Sequence, residues 1–108
     1  MPDNIYSNIP QHLPDELFEI LLQKTGVTIE RIVSKGHCTP EYQWYDQTWD
    51  EWVLLLQGQA ILRFDDDRRV SLKPGDYLLI PAHQRHQVSQ TAPDSETIWL
   101  AIHFRSSP

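Results

Sequence analysis

Thirteen residues, Pro74 to His86 (PGDYLLIPAHQRH), constrain this chain more than any other stretch. Pro74-Gly75 carries turn chemistry: proline presets φ, and glycine accepts the positive φ that a type II turn needs next. Tyr77 to Ile80 is an apolar run of strand length. Pro81 has no N–H to give a ladder, so the strand ends or bulges there. A polar corner follows, then His86, and Val88 marks the start of another strand. A turn, a buried strand, a proline corner and a histidine in this order aim an imidazole into the mouth of a small β-barrel.

The remainder of the chain has a matching cadence. Residues 1–13 are polar, with prolines at 2 and 10, and read as an extended arm. Pro14-Asp15-Glu16 has the composition of a helix start. Leu17, Ile20 and Leu21 fall on one helical face and Gly26 can cap the end, which predicts a short amphipathic helix. Residues 1–26 are therefore expected to be an arm and helix that pack on the barrel or on a partner, and residues 27–108 the barrel itself. From Val27 the period becomes two, and VTIERIV reads as a strand with one mixed face. Glu41 to Gln47 is expected to be a short aromatic strand. EWVLLL (Glu51 to Leu56) is a strand apolar on both faces, so both should be covered. Gln59–Phe64, Arg68–Leu72, 77–80, His86 to about Gln90 and Thr97–Phe104 complete the set, with Asp65-Asp66-Asp67 as a hairpin tip. Many short strands at even spacing predict an all-β sandwich or barrel.

Composition excludes several functions. A chain of 108 residues supports one domain. Net charge is −6 and no basic block occurs, which disfavours nucleic acid and anionic membranes as partners. No apolar stretch approaches membrane-spanning length. The single cysteine, Cys38, excludes an internal disulfide and a cysteine zinc cluster. The N-terminal residues lack a basic region and an apolar run, so a cytoplasmic protein is expected. Trp44, Trp49 and Trp52 gather aromatic surface in one place.

Two motifs, Glu51-x6-Gly58 and Gly75-x5-Pro81-x4-His86, resemble the end of the first and the whole of the second motif of the cupins. Cupins are small jelly-roll β-barrels. The combination YDQ…EWVLLL…GDYLLIPAHQRH…WLAIHF is similar to that of small single-domain bacterial cupins. The resemblance implies a cupin-type jelly-roll β-barrel with a central metal, held by two histidines and a glutamate from the first motif and one histidine from the second. Only Glu51 and His86 carry over directly. The His-x-His that usually precedes the glutamate is absent; its places hold Tyr45 and Gln47 on one spacing, or Trp44 and Asp46 on the other.

The candidate metal set is therefore Glu51, His86, Gln47 and His103, with Asp46 as the alternate to Gln47. Glu51 as a carboxylate in a barrel needs a cation or donors; the structural alternative is a rim glutamate paired with Arg63. His86 is an imidazole ligand or a barrel histidine bonded to Tyr45 or Glu51. His103 shares a face with Trp99 and Ala101, so it replaces a missing imidazole if that face is interior and is an interface histidine if not. Tyr45 is a candidate proton donor or substrate anchor, against an aromatic wall. His83 is expected on the rim. Such a set suits a divalent transition metal such as manganese, iron, nickel or, less well, zinc. The expected function is a metal-binding barrel with a cavity for a small polar molecule and dioxygenase or isomerase chemistry. The alternative is a non-catalytic ligand-binding or sensing module that has lost the usual metal site. If Glu51 points inward, Trp52, Leu54 and Leu56 point outward as an apolar patch, which suggests a homodimer.

Overall fold

The computed structural model describes residues 2–105. Eight strands follow in order: β1 (Leu17–Lys24), β2 (Val27–Ser34), β3 (Asp50–Gln57), β4 (Ala60–Phe64), β5 (Arg69–Leu72), β6 (Tyr77–Ile80), β7 (His86–Thr91) and β8 (Thr97–Phe104). All pairings are antiparallel. One sheet has five strands in the order β1-β2-β8-β3-β6, and the other three in the order β5-β4-β7. The strand predictions from Val27 onward hold except the one over 41–47, and the fold is the predicted jelly-roll type. Met1 and residues 106–108, at the ends of the two expected spans, lie outside the described residues. No helix among the described residues is long and apolar enough to cross a membrane.

The N-terminal helix is not present. Leu17–Lys24 is the outer strand of the five-stranded sheet, paired along its length with β2. The apolar spacing that mimicked a helix is strand alternation interrupted by a bulge at Leu21, where the register shifts between Ile20 and Leu22. An eight-residue partner strand outweighs weak local helix propensity. Gly26 caps no helix; its φ of +80° closes the hairpin to β2. The aromatic strand expected over 41–47 reduces to one bridge, Tyr45 to His86.

The arm is anchored by one side chain. Arg31 is 5% exposed on the outer face of β2. Its Nε donates to Glu19 Oε1 at 2.6 Å, and its guanidinium reaches the carbonyls of Ile5 (3.0 Å), Ser7 (2.6 Å) and Asn8 (3.4 Å). These are charge-assisted bonds, and removing one partner strands the others. Arg31→Ala is expected to lose about 3 kcal/mol and to expose the arm to protease. A thermal melt lowered by roughly 10 °C or more would match this; an unchanged melt and unchanged cleavage within residues 2–16 would contradict it.

The core lies between the sheets. Val53 and Leu55 of β3 meet Leu62 and Phe64 of β4, with Trp99 and Ala101 of β8 beside them. Glu51 shares the inner face with Val53 and Leu55, while Trp52, Leu54 and Leu56 alternate outward.

Candidate functional site

The inner faces converge at one end of the barrel. Glu51 is the second residue of β3, and its cross-strand partner on β8 is His103. His86 opens β7 in the opposite sheet. The Pro81 corner sets its position: His83 adopts φ +65° there, and its N–H donates to Gln47 O at 2.7 Å. Backbone bonds between Tyr45 and His86 (2.8 and 3.1 Å) then tie the 35–49 loop to β7. The His86 ring is oriented by Nδ1, 3.0 Å from Gln84 O, which leaves Nε2 to face the cavity.

Glu51 stands between two imidazoles. Its Oε1 lies 3.7 Å from His86 Nε2 and its Oε2 lies 3.6 Å from His103 Nε2. His103 Nε2 also meets Glu30 Oε1, from β2, at 2.9 Å. Glu51 and His86 are 6% and 4% exposed. Burial pushes the Glu51 carboxyl above the usual carboxylate range; His103 and then His86 oppose this, and Glu30 adds to it. Tyr45 is held above the usual phenol range by burial and by the charge of Glu16, opposed by a bond to Thr39 and reinforced by Glu51. It is therefore a hydroxyl donor across the physiological range. Burial also raises Glu16, against its bond to Ser34 and the nearby His37.

These groups line a cavity of about 100 Å³. Its polar lining is Glu16, Glu30, Tyr45, Gln47, Glu51, His86 and His103, and Val53, Leu62, Ile80 and Trp99 supply apolar wall. No lysine or arginine is among the described residues that line it. A shallower depression, walled by Thr28 and Trp49, shares Glu30, Gln47 and His103 with the cavity. The His103–Glu30 pair thus stands between the two spaces.

The 35–49 loop that supplies Tyr45 and Gln47 is fixed from beneath. Gln87, 2% exposed, donates through Nε2 to the carbonyls of Gln43 (2.8 Å) and Glu41 (3.0 Å), with Pro40 O at 3.4 Å.

Of the residues singled out in the sequence, Glu51, His86, His103, Gln47 and Tyr45 meet at this cavity. Asp46 does not; it bonds His83 Nδ1 at 2.9 Å on the rim. Arg63 pairs with Asp67 rather than Glu51. Glu30 and Glu16 were missed. Glu30 had a signal, a lone carboxylate alternating with Ile32 on a strand face; Glu16 was hidden by the helix reading. Among the described residues, no group of three or more His, Cys, Asp or Glu side chains is arranged to hold a metal ion as it stands. The donors suit one in kind: a carboxylate and two imidazole nitrogens at the separations above, with the Gln47 amide nearby.

The cupin domain family matches residues 31–103, more than half of the chain. The chain is a cupin. A solved protein from Ralstonia eutropha JMP134, provisionally named a mannose-6-phosphate isomerase, is 39% identical to this cupin. The match covers 98% of this chain and 99% of that one, with a TM-score of 0.93. A cupin superfamily protein from Desulfitobacterium hafniense DCB-2 is 26% identical over 91% of this chain and 84% of its own, at a TM-score of 0.74. A cupin-2 domain protein from Shewanella frigidimarina NCIMB 400 shares the fold at 17% identity, with coverage of 90% and 85% and a TM-score of 0.67. No curated protein matches.

Proposed function

We propose that this cupin is a small-molecule isomerase whose buried carboxylate moves a proton on an α-hydroxy-carbonyl substrate. The observation that carries the reading is Glu51, enclosed in a small cavity between His86 and His103, where burial holds its carboxyl above the usual carboxylate range. A carboxylate so placed is a better base than one in water, and its conjugate acid returns the proton readily. Glu51 takes the proton from the carbon that bears the hydroxyl. The C–H electron pair becomes the new carbon–carbon double bond of an enediol while the carbonyl π pair moves onto its oxygen, which takes the Tyr45 proton; the other hydroxyl then gives its proton back to Tyr45, its O–H pair forms the new carbonyl, and the double-bond pair takes a proton from Glu51, partly exchanged with solvent, at the neighbouring carbon. Tyr45 donates its hydroxyl to the substrate oxygen, and the two imidazoles adjust the charge on Glu51.

The name of the Ralstonia protein supports the reaction class. The lining argues against a phosphorylated substrate, because Glu16, Glu30 and Glu51 face the space without a lysine or arginine among the described lining residues. The substrate in this reading is uncharged or cationic.

The donor set favours a second reading, in which Glu51, His86 and His103 hold a divalent transition metal, with Gln47 beside them. Such an ion would supply Lewis-acid polarisation of a bound carbonyl. Glu51 as a ligand is unavailable as a base, so the two readings separate. Short α-hydroxy aldehydes and ketones incubated with untagged protein in D₂O should acquire carbon-bound deuterium, and Glu51→Gln should abolish this. Element analysis of the same protein tests the second reading. Metal near one equivalent, lost in Glu51→Gln and His86→Ala, would transfer the assignment to a metal centre. Thermal stabilisation by these compounds without exchange or metal would leave a binding module and refute catalysis.

A further inference from the structure

The acids of the cavity lack the cationic partners that acids elsewhere in the chain have. Among the described residues, lysine and arginine pair with Glu19, Asp66, Asp67 and Asp76, all outside the cavity. Glu16, Glu30 and Glu51 line it, and His86 and His103 are the basic side chains among the described lining residues. His103 Nε2 is taken up by Glu30 Oε1 at 2.9 Å. Glu51 is 6% exposed, yet its oxygens make no hydrogen bond among the described residues; the nearest imidazole nitrogens stand at 3.6 and 3.7 Å. A carboxylate this buried calls for donors. Glu16 accepts from the neutral hydroxyl of Ser34. His37 lies near Glu16, but its Nδ1 accepts from the Lys35 N–H at 2.8 Å, which makes that ring neutral. Even with both cavity imidazoles protonated, the lining keeps a net negative charge, and Glu16 is the carboxylate that neither ring pairs with.

We propose that the cavity takes a small molecule bearing a protonated primary amine, and that Glu16 is the residue that holds the ammonium group. The chemistry that follows rests on the isomerase reading of the same cavity. The charge of Glu16 reaches the Tyr45 hydroxyl. An ammonium group on Glu16 is therefore a neighbour of a carbonyl oxygen on Tyr45. The substrate class is then a short amino ketone with a hydroxyl on the far side of its carbonyl. The simplest member is 1-amino-3-hydroxypropan-2-one, which the proton transfers described above convert to its isomer 3-amino-2-hydroxypropanal. Its ammonium charge offsets the negative charge that grows on the enediol oxygen, a task for which the described lining offers no lysine or arginine. The rings of Phe18, Tyr45 and Trp99 line the same space and attract a cation to their faces. The net charge of −6 draws cations toward the chain and turns anions away.

Titrations of untagged protein with 1-amino-2-propanol, 1,2-propanediol and lactate, followed by NMR, test the ammonium site without any reaction. The amino alcohol should bind at least ~10-fold more tightly than the diol, and lactate should bind more weakly than either. Glu16→Gln should bring the amino alcohol and the diol within about 3-fold of each other, and Glu16→Asp should restore part of the preference. Should circular dichroism show Glu16→Gln to be misfolded, contacts in the wild type decide. Nuclear Overhauser effects should join the aminomethyl protons to Glu16 and the Tyr45 ring; effects to Trp49 and His103 in their place overturn the assignment. Equal binding of the amino alcohol and the diol by wild type overturns the proposal, and so does a preference that folded Glu16→Gln keeps. Deuterium uptake in D₂O, compared between 1-amino-3-hydroxypropan-2-one and dihydroxyacetone, separates this inference from the reading beneath it. Preferred binding of the amine with no uptake in either ketone upholds the ammonium site and refutes the isomerase. Enzyme-dependent uptake in dihydroxyacetone, with no preference for the amine in binding or in exchange, upholds the isomerase and overturns the ammonium site.

Discussion

Glu51→Gln is expected to make this cupin more stable at neutral pH while removing its chemistry. Glutamine keeps the shape of the side chain and drops the buried charge. The native carboxyl titrates above the usual range, with burial as the main cause. The sign then follows from proton counting. Between the ordinary carboxylate value and the raised native one, the folded chain keeps a proton that the unfolded chain has released. Wild-type stability therefore falls as pH rises through that interval and levels off above it. The glutamine variant lacks this loss. It should melt higher than the wild type at neutral pH and match it in acid. Deuterium exchange, or retained metal under the second reading, should fall at least ~100-fold. A gain in stability with a loss of activity marks a residue kept for function rather than for folding. A variant that melts lower than wild type at every pH would make Glu51 a structural anchor.

Gly58→Ala is expected to be the most destabilising single-methyl change in the barrel. Gly58 lies just beyond β3 at φ +88°. A Cβ there would stand 2.7 Å from Thr97 Cα and 2.9 Å from Glu96 O. Both neighbours are backbone, and Thr97 is fully buried at the start of β8, so neither can swing aside. The positive φ alone disfavours an L-residue by about 1–2 kcal/mol, and the collision should carry the total beyond about 3 kcal/mol. Gly26 and Gly75 also have positive φ but nothing within 4 Å of a built Cβ. Alanine at either should lose only the backbone part, about 1 kcal/mol. Urea midpoints of the three variants measure the collision separately from the torsion. Equal losses at all three positions would eliminate it.

The glycine and the glutamate show how differently the sequence discloses its parts. Gly58 was visible as a motif position, but its reason was not. The reason is a close approach between β3 and β8, strands forty residues apart in the chain. Glu51 and His86 were readable because they stand at the positions of the two motifs shared with cupins, and because a carboxylate on an otherwise apolar strand demands a partner. His103 was undecided because TIWLAIHF presents two apolar faces; only the pairing with Glu51 and Glu30 sets which is inside. Leu17–Lys24 misled because an amphipathic spacing with one bulge has no unique period. What it pairs with decides its form, and that information lies in β2. Glu30 and Glu16 escaped for the same reason, since each becomes a cavity residue only after the outer strands are placed.

The buried amide of Gln87 has a consequence for how a guest would enter. Because that one side chain clamps a stretch without regular secondary structure, the doorway holding Tyr45 and Gln47 has its shape in advance. A visiting molecule then spends little free energy on ordering its host. Capture should be a single kinetic step limited by encounter and the shedding of water, with residence time rather than arrival distinguishing good guests from poor ones.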